Sequence, residues 1–263
     1  MRAGSGLVQV GPRLLAIQDD AWQAWWIEPR RRSLQPRVLK GNGGPKRKRN
    51  KPDFEAVFAL PDGTIWILGS GATPRRCRMA RLKNGQVSMH DAVPLYAALE
   101  AALGMRPNIE GAVPMGSRLR LFHRGPGRAR QANAMLDVSL EVLMGGVPQV
   151  LAVRGCDLGS VARLHLGFTD AVALDADRIL YLAAAEDTRD GIADGVVAGA
   201  SIGVIGGNHA RWALLREADG APSRRKVEGI ALDQNRCTGY LLTDPDDAAR
   251  PAELCRVTLK GFD

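Results

Sequence analysis

Four short segments of this chain repeat one pattern, in which a carboxylate stands beside Ala or Gly at the start of a run of strand-forming residues. The segments read FEAV (54–57), IEGA (109–112), TDAV (169–172) and VEGI (227–230). Their acids are 55, 60 and 58 residues apart, and they are Glu55, Glu110, Asp170 and Glu228. A repeat of this length that begins with strands is typical of one four-stranded blade of a β-propeller.

After each acid the chain shows an apolar run, a tight turn and a second apolar run, which together indicate a β-hairpin. A further hairpin over residues 7–17 precedes the repeats, and its position equivalent to the acids falls near Ser5 or Gly6. We therefore predict an all-β fold, a five-bladed β-propeller that forms one domain over residues 1–263, with six blades as the alternative. The Ala- and Leu-rich segment 94–104 ends in Gly and predicts a short helix between the second and third blades.

The formal net charge of +8 is concentrated in a Gly-rich stretch, where Lys46, Arg47, Lys48, Arg49 and Lys51 lie together. No aromatic residue interleaves this run, so we expect a solvated loop and consider nucleic-acid binding unlikely. The four cysteines are widely spaced, which provides neither a zinc knuckle nor a redox motif. The first residues lack an apolar signal core and no segment is long enough to span a bilayer, so the prediction is a cytoplasmic protein without a membrane partner.

The topology of a propeller predicts that the four acids meet at one mouth of the central channel. The innermost strand of each blade lines the channel, and the chain returns to the same face after the second strand. Carboxylates around one axis repel, so they require a cation, hydrogen bonds from backbone amides of a neighbouring blade, or protonation or pairing with Arg. Oxygen ligands without clustered Cys or His favour calcium, with magnesium as the alternative. The predicted metal ligands are Glu55, Glu110, Asp170 and Glu228.

The loops after the second strands add Arg residues and Gly-rich turns to that mouth, which is a combination that binds anionic oxygens. The candidate ligand-binding residues in these loops are Ser70, Arg75, Arg76, Arg124, Asp187 and Asp244. Pairing of the arginines with nearby acids is the alternative. His123 is a candidate general base beside a metal-bound water, with Glu110 as the second catalytic candidate, and a hydrogen-bonded structural role for His123 stays open.

The segments PDFEAVFALPDG with LGSGATPRR, NIEGAV with LFHRG, GFTDAVAL with AAAEDT, and VEGIAL with LLTDPDD resemble an uncharacterised family of bacterial β-propeller proteins. More distantly, the Glu-Gly-Ile/Val element is similar to that of phytase-esterase-like propellers and of the gluconolactonase and regucalcin group. This similarity implies a central metal and hydrolysis of a phosphate ester or lactone, with Glu186 and Asp187 as neighbours of the metal ligands.

The resulting hypothesis is a propeller that binds a divalent cation and a small anionic ligand, and acts as a metal-dependent phosphoesterase or lactonase. A non-catalytic propeller that senses a ligand or binds a protein partner is the alternative, because the fold alone does not determine function.

Overall fold

Five antiparallel sheets, which follow one another along the chain, make up the protein. The computed structural model describes residues 1–45, 50–125, 133–187, 197–206, 211–247 and 249–261. Blade one contains β1 (Gly4–Val10), β2 (Arg13–Gln18), β3 (Gln23–Glu28) and β4 (Ser33–Val38). Blade two contains β5 (Phe54–Ala59), β6 (Ile65–Gly69), β7 (Arg78–Lys83) and β8 (Gln86–Asp91).

The remaining three blades differ in strand number. Blade three contains β9 (Ile109–Met115), β10 (Arg118–His123), β11 (Asn133–Ser139) and β12 (Val150–Cys156). Blade four contains β13 (Ser160–Val161), β14 (Leu164–Ala173), β15 (Ile179–Glu186), β16 (Val197–Ile205) and β17 (Arg211–Leu214). Blade five contains β18 (Val227–Leu232), β19 (Thr238–Thr243) and β20 (Leu254–Thr258).

The five blades close into a ring around their innermost strands. Strand β1 packs against β5, β5 against β9, β9 against β14, β14 against β18, and β18 against β1 again. The prediction of an all-β, five-bladed propeller is therefore confirmed. Each blade is built from consecutive strands, so the ring closes by packing between its first and last blades.

Small residues on the inner strands allow this narrow ring to close. A Cβ atom added at Gly111 would lie 3.0 Å from the backbone nitrogen of Ala171 in the next blade, and one at Gly229 would lie 3.0 Å from that of Leu7. Larger clusters of apolar side chains fill the spaces between blades, as where the rings of Phe122 and Phe168 meet edge to face at 5.1 Å.

The helix α1 (Val93–Leu103) lies between blades two and three, as predicted from the Ala- and Leu-rich segment. It ends at Gly104, whose φ of 70° is the left-handed conformation that favours glycine at this position. Its buried residues include Tyr96, whose hydroxyl donates a hydrogen bond to the Gly69 carbonyl. The helix is thus packed firmly onto the sheets. Within the described parts of the chain, no helix has the length and apolar character needed to cross a membrane.

Candidate functional site: the acidic channel mouth

A β-bulge in the inner strand of every blade turns one side chain out of the hydrogen-bonded ladder. In blade two, Phe54 pairs with Gly69 and Ala56 pairs with Leu68, which leaves Glu55 unpaired in the ladder. The same register shift occurs in the inner strand of every other blade. Bulges re-aim a side chain. The five equivalent residues are Ser5, Glu55, Glu110, Thr169 and Glu228.

The two hydroxyl residues in this set tie neighbouring blades together. Ser5 Oγ donates a hydrogen bond of 2.5 Å to the carbonyl of Phe54, and Thr169 Oγ1 donates one of 2.7 Å to that of Val227. Each acceptor directly precedes the bulge glutamate of the next blade. The hydroxyls therefore position Glu55 and Glu228 at the axis.

The bulge glutamates and the adjoining loops enclose a small polar cavity of about 70 Å³. This is room for a cation with little water, or for a few water molecules. Among the described residues, eight acids and four basic residues line it. The acids are Asp19, Asp53, Glu55, Glu110, Glu186, Glu228, Asp244 and Asp246, and the basic residues are Lys51, Arg76, Arg124 and Lys226. Acidic side chains therefore outnumber basic ones two to one in this lining.

Two of the basic residues neutralise the acids on the side of blade two. Lys51 Nζ contacts a carboxylate oxygen of Asp19 and lies 2.8 Å from Asp53 Oδ1. The other oxygen of Asp53 lies 2.9 Å from an Arg76 guanidinium nitrogen. Oxygens of Asp19, Asp53 and Glu55 lie within 4.8 Å of one another, which is close enough to share one metal ion. In the described part of the chain, the Glu55 carboxylate has no hydrogen bond or ion pair.

The other two basic residues, Arg124 and Lys226, form ion pairs with acids of blades four and five. Arg124 lies 3.0 Å from Glu186, and Lys226 Nζ lies 2.9 Å from Asp246 and 3.5 Å from Glu228. Glu186 Oε1 lies 3.8 Å from Lys226 Nζ and accepts no hydrogen bond from the residues that the structure describes.

Burial makes several of these carboxyl groups hold a proton more tightly than they would in water. It raises the pKa of Glu110 to about 7, with Asp53 and Glu186 adding to the effect and Arg124 and Lys226 opposing it. Burial also raises the pKa of Asp244 to about 7. Burial is also the main reason why the pKa values of Glu55 and Glu228 lie well above their usual range, and neighbouring carboxylates raise them further.

These shifts predict that stability falls as the pH rises, because four carboxyl groups with raised pKa values outweigh the opposite effect of His123, whose pKa burial lowers to about 4. A folded-state pKa above the unfolded value gives a contribution that is complete below about pH 4 and is lost as the pH rises through about 7. We expect a larger free energy of unfolding at pH 5 than at pH 8 when EDTA is present, measured by urea denaturation. The double variant Glu110→Gln/Asp244→Asn should flatten this dependence. A stability that rises from pH 5 to pH 8 in the wild type would contradict the prediction.

Asp170 lies in the closed part of the ring and does not line the cavity. It is one residue beyond the bulge, and its carboxylate accepts hydrogen bonds of 2.8 Å from the backbone N–H groups of Ala171 and Ile230. The N–H of Leu7 also points to it, so one side chain links blades one, four and five. This is the backbone clasp that the sequence left open as an alternative to metal binding. The four acids of the repeat are thus not equivalent in space.

His123 is buried beside the cavity without lining it. Its Nδ1 accepts a hydrogen bond of 2.9 Å from the backbone N–H of Asn108, and its Nε2 has no hydrogen-bond partner in the described parts of the chain. Burial lowers the pKa of His123 to about 4, so the ring is neutral at physiological pH. This geometry matches the hydrogen-bonded structural role.

The candidate ligand-binding residues of the loops fall into three groups, namely those that line the cavity, those that are exposed, and Ser70. Arg76, Arg124 and Asp244 line the cavity, whereas Arg75 and Asp187 are exposed outside its lining. Ser70 is buried behind the cavity, where its hydroxyl donates a hydrogen bond to Asp53. Residues 46–49 of the basic run lie outside the described residues.

Sequence reasoning missed Asp53, Asn108 and Lys226, and it placed Lys51 in a solvated loop. Asp53, Asn108 and Lys226 each stand two residues before a bulge glutamate and line the cavity with it. Asn108 Nδ2 donates a hydrogen bond of 2.6 Å to Glu110. Extending the aligned repeat by two residues would have found all three, because they occupy the same position relative to the repeated glutamate.

Fold and site together define a class, namely a small five-bladed β-propeller with an acidic channel mouth. Within that class, the chain belongs to DUF6929, a family of unknown function whose model matches residues 1–259. The interpretation as an uncharacterised propeller family is thereby confirmed. No curated protein matches the chain.

Solved structures are similar to this chain at low sequence identity. The luciferin-regenerating enzyme is 12% identical with a TM-score of 0.52, and the match covers 99% of this chain and 92% of that one. Hydrazine synthase from Kuenenia stuttgartiensis is 12% identical with a TM-score of 0.45, over 90% of this chain and 61% of that one. Virginiamycin B lyase from Staphylococcus aureus is 11% identical with a TM-score of 0.38, over 94% and 67%. The chain thus spans about three-fifths of the hydrazine synthase chain. The likeness to the luciferin-regenerating enzyme, at 12% identity, concerns the fold alone.

Proposed function

We propose that the channel mouth binds a divalent cation, calcium in preference to magnesium, and through it a small ligand with anionic oxygens. The excess of eight carboxylates over four basic groups in one small, partly enclosed cavity carries this proposal. Like charges in a poorly hydrated space require a counterion or protons. A divalent cation would be that counterion for the acids that the four basic residues leave unpaired.

The donor chemistry of the mouth fits a hard cation. The acidic side chains that line the cavity supply only oxygen ligands, which suit calcium and magnesium better than zinc. Asp19, Asp53 and Glu55 would hold the ion, because their oxygens are near enough to share it. Lys51 already contacts two of these acids, so an ion must compete with its ammonium group. Glu110 and Glu228 would add negative charge around it.

The bound cation would also explain how an anionic ligand enters an acidic cavity. Arg76 and Arg124 are each engaged by a carboxylate, so neither presents a free positive charge to a ligand. A divalent ion would reverse the local charge and supply a Lewis acid to the ligand oxygen. This arrangement agrees with the distant similarity to phytase-esterase-like and gluconolactonase-like propellers.

Glu110 is the group best suited to acid–base chemistry if the protein is a phosphoesterase or lactonase. Its pKa of about 7 matches the operating range of a general base, and it lines the cavity, whereas neutral His123 is shielded from it. The non-catalytic alternative uses the same cation to sense a ligand. Turnover on a panel of aryl phosphates, esters and lactones, abolished in a folded Glu110→Gln variant, would distinguish the enzyme from the sensor.

Added calcium is expected to raise the melting temperature of EDTA-treated protein. A ligand at one hundred times its Kd stabilises by about 2.7 kcal/mol, which corresponds to roughly 5 to 10 °C for a chain of this size. The shift should grow as the pH rises from 6 to 8, because the ion displaces protons from carboxyl groups with raised pKa values. Differential scanning fluorimetry with calcium, magnesium and EDTA measures it.

Two variants make this measurement specific. Glu55→Gln should lose most of the shift, and Glu141→Gln, which removes an exposed carboxylate elsewhere, should retain it. A wild-type melting temperature that neither calcium nor magnesium changes between pH 6 and 8 would refute the cation proposal.

A further inference from the structure

Among the residues that the structure describes, blade five has three strands, whereas blades one, two and three each have four. Its three strands follow the order β18, β19 and β20, and in the described part of the chain β20 pairs with β19 alone. The opposite edge of β20 therefore carries backbone groups without strand partners. Such an edge is a template for pairing with another chain.

The register shows which backbone groups of β20 point outward. The ladder bonds that flank the strand join Leu259 to Cys237 and Glu253 to Thr243. Hydrogen-bonded pairs alternate along an antiparallel ladder, so Cys255 and Val257 face β19. The N–H and C=O groups of Leu254, Arg256 and Thr258 consequently point away from the blade.

A groove of about 860 Å³ lies beside this edge, between β20 and the segment that follows β17. It is more than ten times the volume of the cavity at the channel mouth. Its apolar surface includes Leu214 and Leu241, together with Val257 and Leu259, which also pack against the core shared with blade four. An outer strand of blade five would lie here.

The charged residues of the groove are mainly basic. Arg216, Arg225, Arg256 and Lys260 line it, against Glu217 alone among the acids. Two of the arginines also contact acids, since Arg225 contacts both Glu217 and Glu253 and Arg256 lies 2.6 Å from Asp233, which leaves Arg216 and Lys260 as the basic residues without an ion pair among the described residues. The remaining positive charge favours an acidic occupant.

We propose that this open edge of blade five binds an extended acidic segment of a partner protein, which adds to the sheet as its fourth strand. Backbone hydrogen bonds to Leu254, Arg256 and Thr258 would provide affinity, as in other cases of β-strand addition. Alternation of apolar and acidic residues would place one face on the apolar groove and direct the acids to its basic rim. The site lies on the outside of the propeller and does not depend on the proposed function of the mouth.

A fluorescein-labelled peptide of nine alternating Val and Glu residues tests this proposal by fluorescence anisotropy with the full chain. We expect saturable binding that weakens with added salt, and at least tenfold weaker binding of the same peptide with Lys in place of Glu. Hydrogen exchange should show new protection of the amides of Leu254, Arg256 and Thr258 when the peptide is present.

A proline substitution separates edge pairing from general charge attraction. Thr258→Pro removes an N–H that points away from the blade, so the fold should remain intact while peptide binding weakens at least tenfold. Equal binding by the wild type and a folded Thr258→Pro variant would overturn the proposal. Absence of any binding, or a dimer of the free protein that Thr258→Pro dissociates, would overturn it as well, because the occupant would then not be an acidic partner segment.

Discussion

Replacing Lys226 by Met is expected to destabilise the protein by about 3–5 kcal/mol at pH 8, the cost typical of removing one partner from a buried ion pair. Lys226 is only 12% exposed in its side chain and lies within 4.0 Å of Glu186, Glu228 and Asp246. Without the ammonium group, these carboxylates must stay ionised in a poorly hydrated cavity or take up protons. Urea denaturation monitored by circular dichroism measures the difference.

The pH dependence and a matched variant identify the electrostatic cause. The loss should be smaller at pH 5, because the raised pKa of Glu228 allows a proton to replace the missing positive charge. The second change in Lys226→Met/Glu228→Gln should restore part of the stability. Lys83→Met removes an exposed lysine paired with Asp62 and should cost less than 1 kcal/mol. A loss that is the same at pH 5 and pH 8 would refute this explanation.

Replacing Asp170 by Ala is expected to cost about 3 kcal/mol or more, since each buried donor left unsatisfied costs roughly 1–3 kcal/mol. Three backbone N–H groups, those of Leu7, Ala171 and Ile230, lose their acceptor between blades one, four and five. The variant also leaves a space among strands of three blades. We expect the midpoint of urea unfolding to fall strongly.

Two further variants test whether the clasp or the charge is responsible. Asp170→Asn keeps one carbonyl oxygen and should lose less stability than Asp170→Ala. Asp177→Asn removes an exposed acid from the same blade and should change stability by less than about 0.5 kcal/mol. If Asp170→Ala were as stable as the wild type, Asp170 would not hold the blades together, and a role at the mouth would need to be reconsidered.

The acidic mouth is best understood as a charge network that the protein has only partly neutralised. Lys51 and Arg76 form ion pairs with acids of blades one and two, and Arg124 and Lys226 form ion pairs with acids of blades four and five. The acids that no basic residue of the described chain pairs with include Glu55 and Glu110, which stand in the bulges of neighbouring blades and whose raised pKa values favour protons that a cation would displace. In a ring of salt bridges every acid would have a basic partner. The acids without such a partner are what would allow this site to bind a cation.

Much of the architecture was predictable because it follows from local pattern. The spacing of the repeats corresponds to one blade, hairpin turns mark the first two strands of each, and the Ala- and Leu-rich segment before Gly104 becomes α1. The convergence of Glu55, Glu110 and Glu228 was also predictable, because every blade of a propeller meets the same axis. These features depend on local composition and on the spacing of residues along the chain, and both can be read directly from the sequence.

The amino-acid sequence by itself determined the blade repeat and three of the glutamates at the mouth, whereas tertiary structure decided how Asp170 and the lysines are used. A one-residue shift in register places Thr169 in the bulge of blade four and turns Asp170 toward the amides of two other blades. Lys51 and Lys226 each pair with an acid two residues away, but their pairing with Asp19 and Glu186 from other parts of the chain exists only in the folded protein. Register and charge pairing are set by contacts between distant strands, and no local pattern records them.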